Sequence, residues 1–216
     1  MTRAGDERAG DAALMRLVRA IVADQPDVAI AMLRASPALA TRALKTGATR
    51  SAARPFFFHD LARYAYAGDT ALHFAAAAYR PHVAEQLLAA GADVRAANRR
   101  GDEPLHAAAA GVPGTAAFNP EAQAETIKLL IAAGADPNAF DKAGTTPLHR
   151  AVRTRCARAV EALLQGGADL TFETRRGSTA LRLASVSSGR GGVGLPEAKA
   201  EQAKILDLLQ RFAGAR

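Results

Sequence analysis

The segment GTTPLHRAVRTRCARAVEALLQGGADLTFETRR, Gly144 to Arg176, decides the fold because variants of it occur three more times in the chain. GDTALHFAA begins at Gly68, GDEPLHAAA at Gly101 and GSTALRLAS at Gly177, so successive starts lie 33, 43 and 33 residues apart. A fixed period in this range predicts one supersecondary unit that stacks on copies of itself. Because a stacked array has a large exposed face and no central pocket, the repeat favours binding over catalysis.

Each copy contains the signals for two short helices and a projecting loop. Thr70, Thr146 and Thr179 stand where a hydroxyl can cap the first helix. Pro104 and Pro147 follow at the first helical position, where a missing N–H costs nothing. An apolar stripe and a helix-ending glycine complete the pattern: Leu72, Leu105, Leu148 and Leu181 for the stripe, and Gly91, Gly134 and Gly167 for the helix ends.

This pattern resembles the ankyrin repeat, whose unit is a helix, a short turn, a second helix and a projecting β-hairpin. The resemblance implies an all-α solenoid in which hairpin tips and first helices line a concave, protein-binding face. We expect one continuous domain, with a degenerate capping unit over residues 1–67 and repeats at 68–100, 101–143, 144–176 and 177–216.

Four residues depart from the pattern of the family. Glu103 replaces the capping threonine, which predicts a weaker cap, and Arg182 replaces the histidine of the fourth copy. Tyr79 and Arg155 stand where the family usually has a helix-ending glycine, which predicts a different turn between those helices.

The second and fourth copies carry inserts that contain the same motif, PEAxAE, at Pro120–Glu125 and Pro196–Glu201. Proline at the start and glutamate in the first turn are helix-initiation signals. Each insert is therefore predicted to be a loop followed by an extended second helix. Because they lie two repeats apart on the same edge, the two are candidates for a joint feature.

The stretch between Gly47 and Gly68 predicts an unusually long first hairpin. It holds many of the aromatic residues of the chain: Phe56, Phe57, Phe58, Tyr64 and Tyr66. One interpretation is an exposed arm that binds a partner. The other is a lid that folds back over the first unit, which the need to bury three consecutive phenylalanines favours.

No motif in the sequence predicts an enzyme, a cofactor site or a metal site. His73, His106 and His149 recur at one position of the repeat, which predicts a structural role near the threonine cap. His59 and Asp60 are adjacent, and on an extended backbone their side chains would point to opposite faces. The glycine-rich stretch Ser188–Gly194 has no preceding strand and no following Lys-Ser/Thr, so a flexible loop is the preferred interpretation.

Composition favours a soluble cytoplasmic protein, which we expect to be a monomer. The single cysteine, Cys156, excludes an internal disulfide framework, and no run of 18 apolar residues or secretory signal occurs. The net charge is +7, but residues 68–143 carry six Lys/Arg against nine Asp/Glu. This acidic middle interrupts the basic surplus and disfavours nucleic acid, whose binders usually show a continuous basic stripe.

The preferred function is a non-catalytic protein–protein interaction module or scaffold whose partner has an acidic surface. Alternatives are a regulatory or inhibitory subunit of a specific enzyme or toxin, and a binder of nucleic acid or another anionic surface. The candidate partner-binding residues fall into three groups: Arg99, Arg100, Lys142, Arg175 and Arg176 at the hairpin tips; Phe74, Arg150 and Arg153 on the first helices, expected to be exposed; and Phe56, Phe57, Tyr64 and Tyr66 in the long hairpin. The competing interpretation of the charged tips is that they only aid solubility.

Overall fold

The computed structural model describes residues 3–111, 113, 118–186 and 196–214, and the regular secondary structure in these ranges is almost entirely α-helical. The helices are α1 (Arg3–Val22), α2 (Pro26–Ala35), α3 (Ala71–Ala77), α4 (Pro81–Ala89), α5 (Pro104–Ala108), α6 (Pro120–Ala132), α7 (Pro147–Arg153), α8 (Ala157–Gln165), α9 (Ala180–Ser185) and α10 (Pro196–Gly214). Two short antiparallel strands, β1 (Phe57–Phe58) and β2 (Arg63–Tyr64), form a small sheet, with 3-10 turns at Pro37–Leu39, Arg54–Phe56 and His59–Leu61.

The helices form two layers that run the length of the stack. The short first helices α3, α5, α7 and α9 contact one another in sequence, and the second helices α4, α6, α8 and α10 do the same. At the amino-terminal end, α1 packs on α3 and α2 packs on α4, so this pair continues the stack. The all-α stack of helix pairs predicted from the repeat is confirmed.

The leucine that opens each first helix shows where the stack ends. Leu72, Leu105 and Leu148 are at most 1% exposed because helices lie on both sides of them. Leu181 holds the same place in α9 but is 44% exposed. The motif therefore buries a leucine only where a following helix packs on it.

The repeated histidines fill the structural role predicted for them. The Nδ1 atom of His73 accepts a hydrogen bond from the backbone N–H of Thr70 (3.1 Å), and its Nε2 lies 2.9 Å from the carbonyl oxygen of Asp102 in the next copy. His106 repeats the arrangement with Glu103 N–H (3.2 Å) and the Thr145 carbonyl (3.1 Å). Each imidazole therefore closes its own helix start and also ties it to a segment further along the chain.

Glu103 keeps the cap geometry of its siblings, since its backbone N–H still donates to His106. Its side chain is less well accommodated: the Oε2 atom is buried with no hydrogen-bond partner among the described residues. Burial raises the pKa of this carboxyl group. Glutamate in place of threonine therefore keeps the backbone hydrogen bond of the cap but leaves a buried carboxylate oxygen without a hydrogen-bond partner among the described residues.

The prediction of different turns at Tyr79 and Arg155 is wrong. Both adopt the left-handed conformation that glycine usually supplies, with φ of 55° and 59°. Around Tyr79, the N–H of Arg80 donates to the carbonyl of Ala75 (2.9 Å), which closes the end of α3. The helix pair fixes the backbone shape, and these two side chains are held in it despite their Cβ atoms.

Both PEAxAE motifs begin second helices, as predicted: α6 starts at Pro120 and α10 at Pro196, and both are longer than α4 and α8. Asn119 caps α6 through a hydrogen bond from Ala122 N–H (3.0 Å). Most of the residues before each motif lie outside the described ranges.

The two long helices meet the same short helix from opposite sides. Glu121 of α6 pairs with Arg158 of α8 (2.9 Å from Oε1 to Nε), and Glu201 of α10 accepts a hydrogen bond from Ala157 N–H (3.1 Å). The joint feature expected of the inserts is therefore a pair of acidic contacts at the first turn of α8.

Candidate binding surface

The hairpin tips stack in register, which places their basic residues in one row. The backbone N–H of Arg99 donates to the Ala67 carbonyl (2.8 Å), and that of Lys142 donates to the Arg100 carbonyl (2.9 Å). The next tip approaches closely enough that a Cβ added to Gly144 would lie 2.5 Å from Cγ of Arg175. We call Arg99, Arg100, Lys142, Arg175 and Arg176 the tip row; all five are exposed.

Two buried aspartates, Asp102 and Asp141, lie behind the tip row, and Arg150 bridges them. One Nη atom of Arg150 is 2.7 Å from Asp102 and 2.9 Å from Asp141. Burial alone would raise the pKa of Asp102, but the ion pair with Arg150 outweighs it and leaves that pKa below its usual value. Arg100 of the tip row also pairs with Asp102, with 3.7 Å between Nε and Oδ2, so these carboxylates offset part of the charge of the tip row.

The expectation that Arg150 is exposed for a partner is therefore wrong. Its side chain is only 20% exposed, and its guanidinium joins aspartates of two consecutive hairpins. Arg153, one turn further along α7, is exposed as expected.

Phe74 is also not exposed, contrary to expectation: its exposed fraction is 0%. The long first hairpin folds over it, and the Phe58 ring lies 5.0 Å from the Phe74 ring, centroid to centroid. The guanidinium of Arg63 covers the ring as well, at 5.4 Å from its centroid. Phe74 therefore anchors the hairpin to the stack.

The first hairpin divides its aromatic residues between the core and the surface. Phe56 and Phe58 pack against the core, as the folded-back interpretation requires. Phe57 and Tyr64 face each other across the two strands, with ring centroids 4.7 Å apart, and Tyr64 is 38% exposed. The hairpin is thus a lid with one aromatic side turned outward.

Tyr66 joins this lid to the tip row. The guanidinium carbon atoms of Arg99 and Arg100 lie 5.1 Å and 5.2 Å from the centroid of the Tyr66 ring. Arg99 also donates to the carbonyl of Ala48. These contacts hold two long cationic side chains in defined positions at the exposed edge.

Family models match the repeated part of the chain. A model for the ankyrin repeat matches residues 67–99 and 100–142, and a model for ankyrin repeats in many copies matches residues 130–184. Together they cover more than half of the 216 residues. The chain belongs to the ankyrin-repeat family. Ankyrin repeats are generally protein–protein interaction modules, and the family is typically non-catalytic. No curated protein matches the chain.

In the described part of this ankyrin protein, no group of three His, Cys, Asp or Glu residues is arranged to hold a metal ion. No described helix is both long enough and apolar enough to span a membrane. His59 and Asp60 are exposed in the first hairpin, whereas the nearest repeated histidine along the chain, His73, is fully buried with both ring nitrogens hydrogen-bonded.

The hairpin tip that carries Arg175 and Arg176 is the third tip of the row. Beside it, the ankyrin stack contains a cleft that was not predicted from the sequence. It has a volume of about 760 Å³ and lies among α7, the hairpin that ends at Arg176, α9 and α10. Its basic lining residues are Arg153, Arg155, Arg175, Arg176 and Arg182. The signal was present in the sequence, because Arg182 replaces a histidine of the motif, but only the structure brings it beside the others.

Proposed function

We propose that this ankyrin-repeat protein binds an acidic surface of another protein through the tip row and the adjoining first-helix face. The observation that carries the proposal is the alignment of five exposed cations in one row. The two aspartates behind the row are bridged by Arg150, and only Arg100 of the row pairs with one of them. Such a row favours a partner that presents carboxylates at a matching spacing, because opposite charges meet in register.

Preorganisation supports this function. Lys142 Nζ donates to the Arg99 carbonyl (2.9 Å), and Arg99 and Arg100 rest on Tyr66. Holding long side chains in place before binding reduces the conformational entropy lost on association. The Phe57–Tyr64 pair, in which Phe57 is half-buried and Tyr64 is exposed, lies on the neighbouring lid and offers apolar contact area beside the cations.

Affinity purification tests the proposal. The immobilised protein is exposed to an extract of its own source cell, and bound proteins are quantified by mass spectrometry for the wild type and for the double variant Arg175→Ala/Arg176→Ala. We expect specific partners to be lost from the variant while its melting temperature stays nearly unchanged, because both residues are exposed tip residues. The matched control is Arg19→Ala/Arg34→Ala, which removes two exposed arginines from α1 and α2.

If tip and control variants retain the same partners, the tip row is not the binding surface. Titration with a labelled oligonucleotide at two salt concentrations tests nucleic acid directly, since phosphate-driven affinity falls steeply with salt. Oligonucleotide binding that the tip variant abolishes would replace the protein-partner proposal.

A further inference from the structure

We propose that the cleft beside the third tip binds a peptide segment in which acidic residues flank an apolar one. This deepens the proposed function, on which it rests, by naming the part of the partner that is bound. The partner carboxylates pair with Arg153, Arg175, Arg176 and Arg182, and the apolar side chain enters the floor of the cleft. We call these four residues the cleft arginines.

The charge of the cleft is strongly one-sided. Among the described residues that line it, five are arginines and none is aspartate or glutamate. Arg155 is buried at 4% exposure and engaged within the protein, so ligand binding is assigned to the cleft arginines. Glu173 is on the same hairpin but does not line the cleft. Because the described charged groups of the lining are all cations, the cleft favours an occupant that brings negative charge.

The cleft also offers apolar surface that a bare anion would leave unused. Val152, Leu183, Ala184, Val186 and Ile205 line it, and Val186 is 48% exposed. Ligand cavities that mix an apolar floor with a few charged groups usually measure about 300–1,000 Å³. The volume of about 760 Å³ therefore suits one bulky side chain and the peptide on either side of it.

The arrangement of the arginines favours several separate carboxylates over a single phosphate group. Arg153 lies at the end of α7, Arg175 and Arg176 lie on a hairpin tip, and Arg182 lies on α9. Cations on three different elements match charges spread along a chain. Arginine pairs well with carboxylate because its planar fork can donate two parallel hydrogen bonds.

A peptide set tests the proposal. Fluorescein-labelled peptides with the cores Glu-Leu-Glu, Glu-Phe-Glu and Asp-Phe-Asp in a Gly-Ser background are compared with amide versions that carry Gln or Asn. We expect at least one acidic peptide to bind at least about tenfold more tightly than its amide version by fluorescence anisotropy.

The decisive variant is Arg153→Ala/Arg182→Ala, because neither residue belongs to the tip row. This variant should bind the acidic peptide at least about tenfold more weakly than the wild type does, since arginines in a binding site commonly act as hot spots. Arg19→Ala/Arg34→Ala, which removes the same charge at the other end of the stack, should bind the peptide as the wild type does. Circular dichroism melting of all three proteins verifies that each is folded.

Three results would overturn the cleft proposal. The first is that no acidic peptide binds more tightly than its amide version. The second is that both double variants bind the acidic peptide equally well. The third is that pyrophosphate binds and Arg153→Ala/Arg182→Ala abolishes its binding, while no acidic peptide binds. In each case the loss of cellular partners from Arg175→Ala/Arg176→Ala still tests the tip row separately.

Discussion

At the scale of single residues, the buried histidines are neutral, and each one links consecutive parts of the stack through hydrogen bonds. We call these contacts histidine clips. Burial lowers the pKa of His73, His106 and His149, and brings that of His106 to about 4. In the neutral ring, Nδ1 accepts from the helix start and Nε2 donates to a carbonyl group. A second proton would occupy the accepting nitrogen and break the cap.

This arrangement predicts that acid destabilises the fold through His106. The unfolded pKa is near 6.5 and the folded one is about 4, so the unfolded chain takes up the proton first as pH falls below 6.5. From pH 7 to pH 5, His106 should contribute a loss of about 2 kcal/mol in the free energy of unfolding. Urea denaturation at both pH values measures it. The free energy of unfolding of His106→Gln should depend less on pH than that of the wild type. An unchanged pH dependence would contradict the assignment of this effect to His106.

A second prediction concerns Arg150, which bridges two buried aspartates. Arg150→Ala removes this ion pair from the buried Asp141 and leaves Asp102 with Arg100 at 3.7 Å. Removing one partner of a buried ion pair lowers the free energy of unfolding by about 3–5 kcal/mol. Chemical denaturation at pH 7 should show this decrease, and Arg153→Ala on the same helix should change stability by less than about 1 kcal/mol. A small effect of Arg150→Ala would mean that water replaces the bridge.

At the scale of elements, α8 depends on contacts from the two inserted helices. Glu201 accepts from the N–H of Ala157, the first residue of α8. On the other side, Arg158 lies between Glu121 and Glu161, with an N···O distance of 2.7 Å to the latter. An acidic group at this end also interacts favourably with the helix dipole.

We therefore expect Glu201→Ala to lower the free energy of unfolding by about 1 kcal/mol, as the loss of a helix cap does. Glu201→Gln should cost less, because an amide oxygen can still accept the hydrogen bond. Glu125→Ala, an exposed position on α6, is the control. Hydrogen exchange at the first turn of α8 measures the local effect, and equal exchange in the Ala and control variants would count against the cap.

At the scale of the whole molecule, stability comes from contacts between neighbouring units. Leu148 and Leu181 hold the same motif position but are 1% and 44% exposed. Leu148→Ala should lower the free energy of unfolding by about 2–5 kcal/mol, because it leaves a cavity in the middle of the stack. Leu181→Ala should cost less than about 1 kcal/mol. Thermal melting compares them, and similar losses would contradict the end position of Leu181.

The features that sequence predicted are those that local signals determine. The threonine caps depend on residues within a few positions, so the helices around Thr70 and Thr146 were predictable. The carbonyl acceptors of the histidines lie 23 to 39 residues further along the chain, so these links between copies were not predicted. Phe74 was misjudged because its burial depends on where the long hairpin folds. Arg150 was misjudged because one of its partners, Asp102, lies 48 residues earlier. The cleft was missed because its arginines come from three elements.

The sequence order of the histidines and their carbonyl acceptors also suits folding from the amino-terminal unit onward. In each clip the imidazole comes first in the chain and its carbonyl acceptor comes later: Asp102 after His73, Thr145 after His106 and Phe172 after His149. Domains fold from the amino terminus as the ribosome releases them. Each emerging unit therefore supplies the acceptor that the preceding histidine lacks, so the array can close one unit at a time during synthesis.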